Sequence, residues 1–409
     1  MKAGSRGREV SRWALALLAL SFVLEPRGPG SAAAQSVWDA ASEARIYEIT
    51  RSWSLAVGDF DRDGLEDVLM GRHDLAARIY HNDGGTFSEY AAGTLAADND
   101  RHGCAWGDVD RDGLDDIYCS RGAEHGTISK ANELWMHQPG GSFVDRASEY
   151  GVTDPYGRGR QVTFLDVNHD AYPDLFVGNR YPRQDERTSP NRLFINRNGE
   201  SFEEVDYGVR GEVGAYCVQA ADVDGDGWDD VLVCGQDELK LYRNEDGASF
   251  AEVDDSLRLA AFAVSADLVD LDEDEDLDLV SLRRRHLRVQ LWRSDHFGRR
   301  IPVRDLTIGE WVVGGDVNGD GSADLYVVQG CSRGVNRPDA LLLNDGSGKA
   351  FSEIEVPQAE TGCGDVAAMI DYDQDGWDDV LVANGEGIKG ELLVEGPVQL
   401  LTLGSGPAG

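Results

Sequence analysis

Basic residues are scarce in this chain: 38 lysines and arginines stand against 75 aspartates and glutamates, a formal net charge of -37. Such a surface repels phosphate backbones and acidic lipid, so nucleic acid and anionic membranes are poor candidates for partners. Proline and methionine are few, at 12 and 4 residues, and helical periodicity is hard to find beyond the N-terminus. C-x-x-C, H-E-x-x-H and G-x-S-x-G are all absent, which removes the usual zinc-knuckle, metallopeptidase and serine-hydrolase signatures. What remains is a chain that is 41% hydrophobic with 49 glycines, too apolar for disorder. It reads as many short strands joined by tight turns.

The N-terminus stands apart. Lys2, Arg6, Arg8 and Arg12 lead into an apolar run from Trp13 to Leu24, and Ala32-Ala33-Ala34 offers small residues for cleavage before Gln35. This order predicts a secretory signal peptide over 1–34, followed by a mature chain over 35–409 that is extracellular, or periplasmic in a bacterium. An uncleaved anchor is the competing reading, but the run is shorter than the ~20 residues a spanning helix needs, and no later segment reaches that length. In an exported chain six cysteines suggest three disulfides. Cys104 and Cys119 flank one acidic loop and Cys217 and Cys234 another in the same cross-strand register, which leaves Cys331 with Cys363. Free buried thiols are the alternative.

One unit recurs seven times at a spacing of roughly fifty residues, the size of a propeller blade. Its landmark is an Asp-rich loop, D-x-D-x-D-G-x-x-D. In the first copy the predicted ligands are Asp59, Asp61, Asp63, the Leu65 carbonyl and Asp67. The second repeats them as Asp108, Asp110, Asp112, Leu114 and Asp116, and the third as Asp166, Asn168, Asp170, Tyr172 and Asp174. The fourth has Asp222, Asp224, Asp226, Trp228 and Asp230; the fifth has Asp270, Asp272, Asp274, Asp276 and Asp278. The sixth has Asp316, Asn318, Asp320, Ser322 and Asp324, and the seventh Asp371, Asp373, Asp375, Trp377 and Asp379.

Oxygen ligands at loop positions 1, 3, 5, 7 and 9 around one point suit a hard cation of calcium size, so up to seven calcium ions are expected. Without a cation the crowded carboxylates would repel one another. An EF-hand shares the first six positions but needs a bidentate glutamate at position 12, where this chain has Met70, Cys119, Val177, Val233, Ser281, Val327 and Val382. Loops three and five lack the turn glycine, with Ala171 and Glu275 in its place, and are the weaker candidates.

Each loop joins two strand-like stretches, a third strand follows, and a fourth opens on an aromatic such as Phe87, Phe143, Phe202 or Phe250. The expected fold is therefore all-β, a seven-bladed β-propeller of four-stranded antiparallel blades. The last repeat lacks its aromatic strand, and Ser36-Val37-Trp38-Asp39 resembles the missing piece, so the N-terminal strand is expected to close the ring. Connections between second and third strands lie on the face opposite the acidic loops. The longest, Arg180–Pro190 and Gly330–Pro338, contain Tyr181, Arg183, Arg187, Arg333 and Arg337 and mark the expected ligand face. Trp228 and Trp377 offer sugar-stacking surfaces, although packing over the loop is the plainer reading.

At these loops the chain resembles the FG-GAP or VCBS repeats of integrin α-subunit propellers and many exported bacterial proteins. The stretch from Gly157 to Asn196, with G-R-G-R before the loop and N-R-L-F-I-N after it, is most similar to the cartilage acidic protein family. The resemblance implies seven blades with calcium at the loop aspartates. It leads us to expect a monomeric, non-catalytic binding or adhesion module for an extracellular protein or glycan. An exported calcium-dependent polysaccharide lyase is the alternative, without an acid–base constellation in the sequence to support it.

Overall fold

A computed structural model describes residues 36–404 apart from 47–51, 73–74, 91–94, 96–99, 123–128, 181–189, 211–213, 236–237, 254–258, 260–261, 331–336, 358–363, 385, 390–391 and 396–397. The segment read as a signal peptide, Cys331 with Cys363, and Tyr181, Arg183, Arg187 and Arg333 lie outside the described residues.

Seven four-stranded antiparallel sheets form a ring. The first strands are Ser52–Gly58, Arg101–Gly107, Gly159–Leu165, Ala215–Ala221, Ser265–Val269, Gly309–Gly315 and Gly364–Ile370. Each packs beside the first strand of the next blade, and the last packs beside the first, so these strands surround the axis. Second strands such as Asp67–Arg72, Asp174–Asn179 and Asp379–Asn384 are buried at all six residues. Both faces of the sheet are covered there by neighbouring blades, which is why Val-Leu-Met or Val-Leu-Val-Ala runs without alternation. Outer strands do alternate: Phe87, Phe143 and Phe250 turn inward from otherwise exposed strands.

The N-terminal strand Ser36–Asp39 completes blade seven. Val37 pairs with Leu403 and Trp38 with Thr402 on Gln399–Gly404, giving the sheet order N-terminal strand, third, second, first. The chain then packs Ala40, Ala44 and Ile46 between Leu381 and Leu400 of blade seven and Val68 and Tyr80 of blade one. Two elements had no counterpart in the sequence reading: a hairpin of Glu386–Lys389 with Leu392–Glu395, and a single helical turn, Ala147–Tyr150. No helix among the described residues is long and apolar enough to cross a membrane.

Disulfides join Cys104 to Cys119 and Cys217 to Cys234, each between paired positions of a first and second strand, with Cα atoms 4.2 and 5.1 Å apart. Polar side chains stitch neighbouring inner strands. Ser54 Oγ accepts the Cys104 N–H at 2.8 Å, while Asp267 accepts from Gln219 on one side and from the Gly314 N–H, 2.7 Å away, on the other.

Candidate metal centres

Each acidic loop connects the first and second strands of its blade, so all seven project from one face of the ring. Their internal hydrogen bonds repeat. In loop one Asp59 accepts the Asp63 and Gly64 N–H groups, both at 2.9 Å, and Asp63 accepts the Leu65 N–H at 2.9 Å. Asp67 at position 9 accepts the Phe60 N–H at 3.2 Å and, with its other oxygen, the Asn82 N–H at 2.8 Å. The same pattern returns at Asp166, Asp170 and Asp174 and at Asp222, Asp226 and Asp230. Position 3 turns inward too: Asn168 and Asn318 accept the N–H of Asp170 and Asp320, as Asp110 does for Asp112.

The turn depends on left-handed backbone at position 6, with φ of 90° at Gly64 and 94° at Gly227. Ala171 and Glu275 adopt φ of 71° and 68° in loops three and five, so the missing glycines leave the turn standing at a local steric cost of about 1–2 kcal/mol each. Those two loops, the weaker candidates by sequence, have the backbone of the others.

Converging donors follow. Carboxylates of Asp59, Asp61 and Asp67, of Asp108, Asp110 and Asp112, of Asp222, Asp224 and Asp226, and of Asp270, Asp272 and Asp278 each bring ligand atoms within 4.8 Å of one another. Asp61 Oδ1, Asp108 Oδ1, Asp272 Oδ1 and Asp371 Oδ1 are buried without a hydrogen-bond partner. Buried carboxylate oxygens normally have partners, and an oxygen-binding cation fits these. Burial also pushes the position-9 carboxyls up, to about 7 for Asp67, Asp174, Asp230, Asp278 and Asp324 and to about 8 for Asp116 and Asp379. Without a cation these groups resist ionisation at neutral pH.

Neighbouring loops touch in a way the repeat alone did not reveal. The position-4 residue of one loop meets position 7 of the next: Arg111 lies over the Tyr172 ring at 5.2 Å, and His169 stacks on Trp228 at 3.8 Å with planes 3° apart. The Ser322 hydroxyl donates to Glu273 at 2.6 Å. At Gly319 a Cβ would lie 1.9 Å from Trp377 Nε1, so glycine leaves room for that ring. Trp228 is thus packed over the loops.

A second link runs through asparagines that end the third strands. Asn82, Asn196 and Asn244 donate side-chain N–H groups at 2.9 Å to the carbonyls of Tyr372, Val109 and Val167, and Asn344 donates to Leu271 at 2.8 Å. Each of those carbonyls is at position 2 of the preceding loop. The sequence signal was an Asn two or three residues before a glycine turn, obscured because His137 and Trp292 replace it in blades two and five.

On the opposite face the described residues include Arg180, whose guanidinium lies 4.4 Å over the Tyr216 ring, and Arg283, 3.7 Å over Phe262.

Comparison with known proteins agrees with this architecture. The FG-GAP-like repeat pattern matches residues 59–119, 182–233, 222–281, 270–327 and 316–382. Cartilage acidic protein 1 of Xenopus tropicalis is 39% identical over 67 residues, and that of Mus musculus is 38% identical over 64; each match covers 16% of this chain. The chain spans about 9% of the length of these curated relatives. Among solved structures, an Agrocybe aegerita lectin that recognises non-reducing terminal N-acetylglucosamine aligns with a TM-score of 0.52 and 16% identity, over 75% of this chain and 80% of the lectin. BBS1N in complex with ARL6DN aligns at 0.54 and 11%, over 91% and 98% of the two chains. At those identities the likeness is one of fold. With seven four-stranded blades and repeat matches over more than half its length, the chain belongs to the FG-GAP-like repeat family.

Proposed function

We propose that this chain is an exported, calcium-loaded propeller that works as a non-catalytic binding module, with the ions as scaffold and the opposite face as ligand surface. The observation that carries the metal reading is the recurrence of one cradle around the ring, with buried carboxylate oxygens that no hydrogen bond satisfies. Calcium takes six to eight oxygens, and each loop offers carboxylates or amides at positions 1, 3, 5 and 9 with the position-7 carbonyl beside them.

The ligand side follows from topology. Inter-loop packing occupies the acidic face, as the His169–Trp228 stack shows, whereas connections between second and third strands carry the variable and basic residues. Arg180 and Tyr216 supply a cation and an aromatic surface there, chemistry that suits a glycan or an acidic protein segment. The lectin with the same fold makes a terminal sugar a reasonable first probe.

Calcium titration by calorimetry, together with a glycan array and partner capture on the mature chain, tests the proposal. Calcium binding at several equivalents is expected. Replacing Arg183 and Arg187 by alanine is expected to weaken ligand capture while leaving calcium binding intact. Capture that survives this double change but fails when acidic-face residues are changed would move the ligand site to the other side.

A further inference from the structure

His81 enters the first metal cradle without belonging to the repeat. It precedes the residue whose N–H meets the position-9 carboxylate, a place taken in blades two, three, five and six by Met136, Ile195, Leu291 and Leu343, and in blade four by Arg243, whose guanidinium pairs with the position-3 Asp224 but cannot ligate a metal. Its Nε2 lies 3.1 Å from Asp61 Oδ2 and 3.5 Å from Asp63 Oδ2. On the far side of the ring, Nδ1 lies 3.0 Å from Asp83 Oδ1. Phe60 meets the imidazole edge-on at a centroid distance of 6.1 Å and helps hold its orientation.

Three features of this arrangement point to a metal site, and the first two of them to a metal other than calcium. First, Asp83 on Nδ1 would hold the tautomer whose Nε2 lone pair faces the cradle once a metal replaces the Nε2 proton, the outer-sphere support metal-binding histidines ordinarily have. Second, ligands about 2.0–2.1 Å from a tetrahedral zinc are separated from one another by about 3.3 Å. The two nitrogen-to-oxygen separations, 3.1 and 3.5 Å, bracket that value. Third, Asp61 Oδ1 is buried in the same cradle without a hydrogen-bond partner. Calcium selects oxygen donors, whereas imidazole with carboxylates suits zinc.

We propose that blade one carries a zinc-class site, with His81, Asp61 and Asp63 as ligands and Asp83 as the outer carboxylate that orients His81. The proposal rests on the reading of these loops as metal cradles and assigns zinc rather than calcium to one of the seven.

Zinc titration into the mature chain in millimolar calcium is the test, with cobalt(II) absorption in the visible as a second readout. One zinc equivalent is expected to survive the calcium excess and to be lost in His81→Ala, with the visible cobalt band lost as well. Asp83→Asn is expected to weaken zinc by roughly 10–100-fold. Calcium equivalents in the other blades should be unchanged in both variants, and His81→Gln serves should the alanine variant fail to fold. Zinc binding that is absent, or equal in wild type, His81→Ala and Asp61→Ala, overturns the proposal; His81 is then a protonated partner of Asp61, Asp63 and Asp83. Zinc retained through His81 in a chain that binds no calcium would sink the calcium reading and leave this one standing.

Discussion

At the scale of single residues, the buried position-9 carboxylates set how the loops respond to pH. Burial raises Asp230 to about 7 and Asp116 to about 8, well above the unfolded value near 3.8. A carboxyl with a raised folded pKa favours the folded state while protonated. Its contribution is fully present below the unfolded pKa and is lost as pH climbs through the folded one. The ion-free protein should therefore melt at falling temperatures between about pH 5 and pH 8, and saturating calcium should flatten or reverse that trend because the ion offsets the buried charge. Melting curves across that window, in chelator and in calcium, read this directly; parallel curves would show that the carboxyls do not govern it. Geometry also limits what can replace these residues. Asp230 accepts the Asn244 N–H on one oxygen at 2.9 Å and the Val223 N–H on the other at 3.3 Å. Asp230→Asn turns an NH₂ toward one of those donors and should cost about 1–3 kcal/mol with or without calcium, measurable by denaturant unfolding.

At the scale of elements, the asparagine near the end of the third strand in blades one, three, four and six binds two blades. Asn244 takes its own blade's Asp230 as backbone partner and gives its side chain to Val167 in the blade before. Asn244→Ala leaves a buried carbonyl without its donor, so about 1–3 kcal/mol of stability should disappear, more than for a typical surface change. A loss near zero would mean that water replaces the amide. These links mark the limit of what the sequence made legible. Strand order, loop positions, two disulfides and the closing strand were all readable, since each depends on local pattern or on register within one repeat. Asn82 to Tyr372 and His169 to Trp228 were not, because each joins residues that become neighbours only once blades are arranged radially, and His81 to Asp61 was not, because it depends on how the third strand of blade one lies beside its own loop. Ala171 and Glu275 bear on the turn alone. A missing glycine raises the cost of a left-handed turn without forbidding it, and both residues adopt that turn.

At the scale of the whole molecule, terminal strands close the ring, and contacts between acidic loops cross several blade junctions. Ser36–Asp39 covers the outer edge of Gln399–Gly404, and Ile46 shares a core with Leu400 and Val68. Removing residues 36–46 should expose a strand edge and open the junction between blades seven and one, with self-association visible by size-exclusion chromatography. A monomer that melts like the full chain would show that closure needs only the other strands. On the proposed function, calcium would act on the same ring. With affinities in the ~0.1–1 mM range of extracellular modules, millimolar calcium contributes about 0.4–1.4 kcal/mol at each occupied loop. Because position 4 of one loop touches position 7 of the next, as in Arg111 with Tyr172 and Glu273 with Ser322, ordering one loop also orders its neighbour. Chelation should then lower the melting temperature by on the order of ten degrees in one cooperative transition, since an unfolding entropy of ~2 cal/mol/K per residue converts several such contributions into a shift of that size. An unchanged melt after chelation would reduce the loops to solvated acidic turns, and separate transitions for separate blades would mean that the contacts between loops transmit nothing.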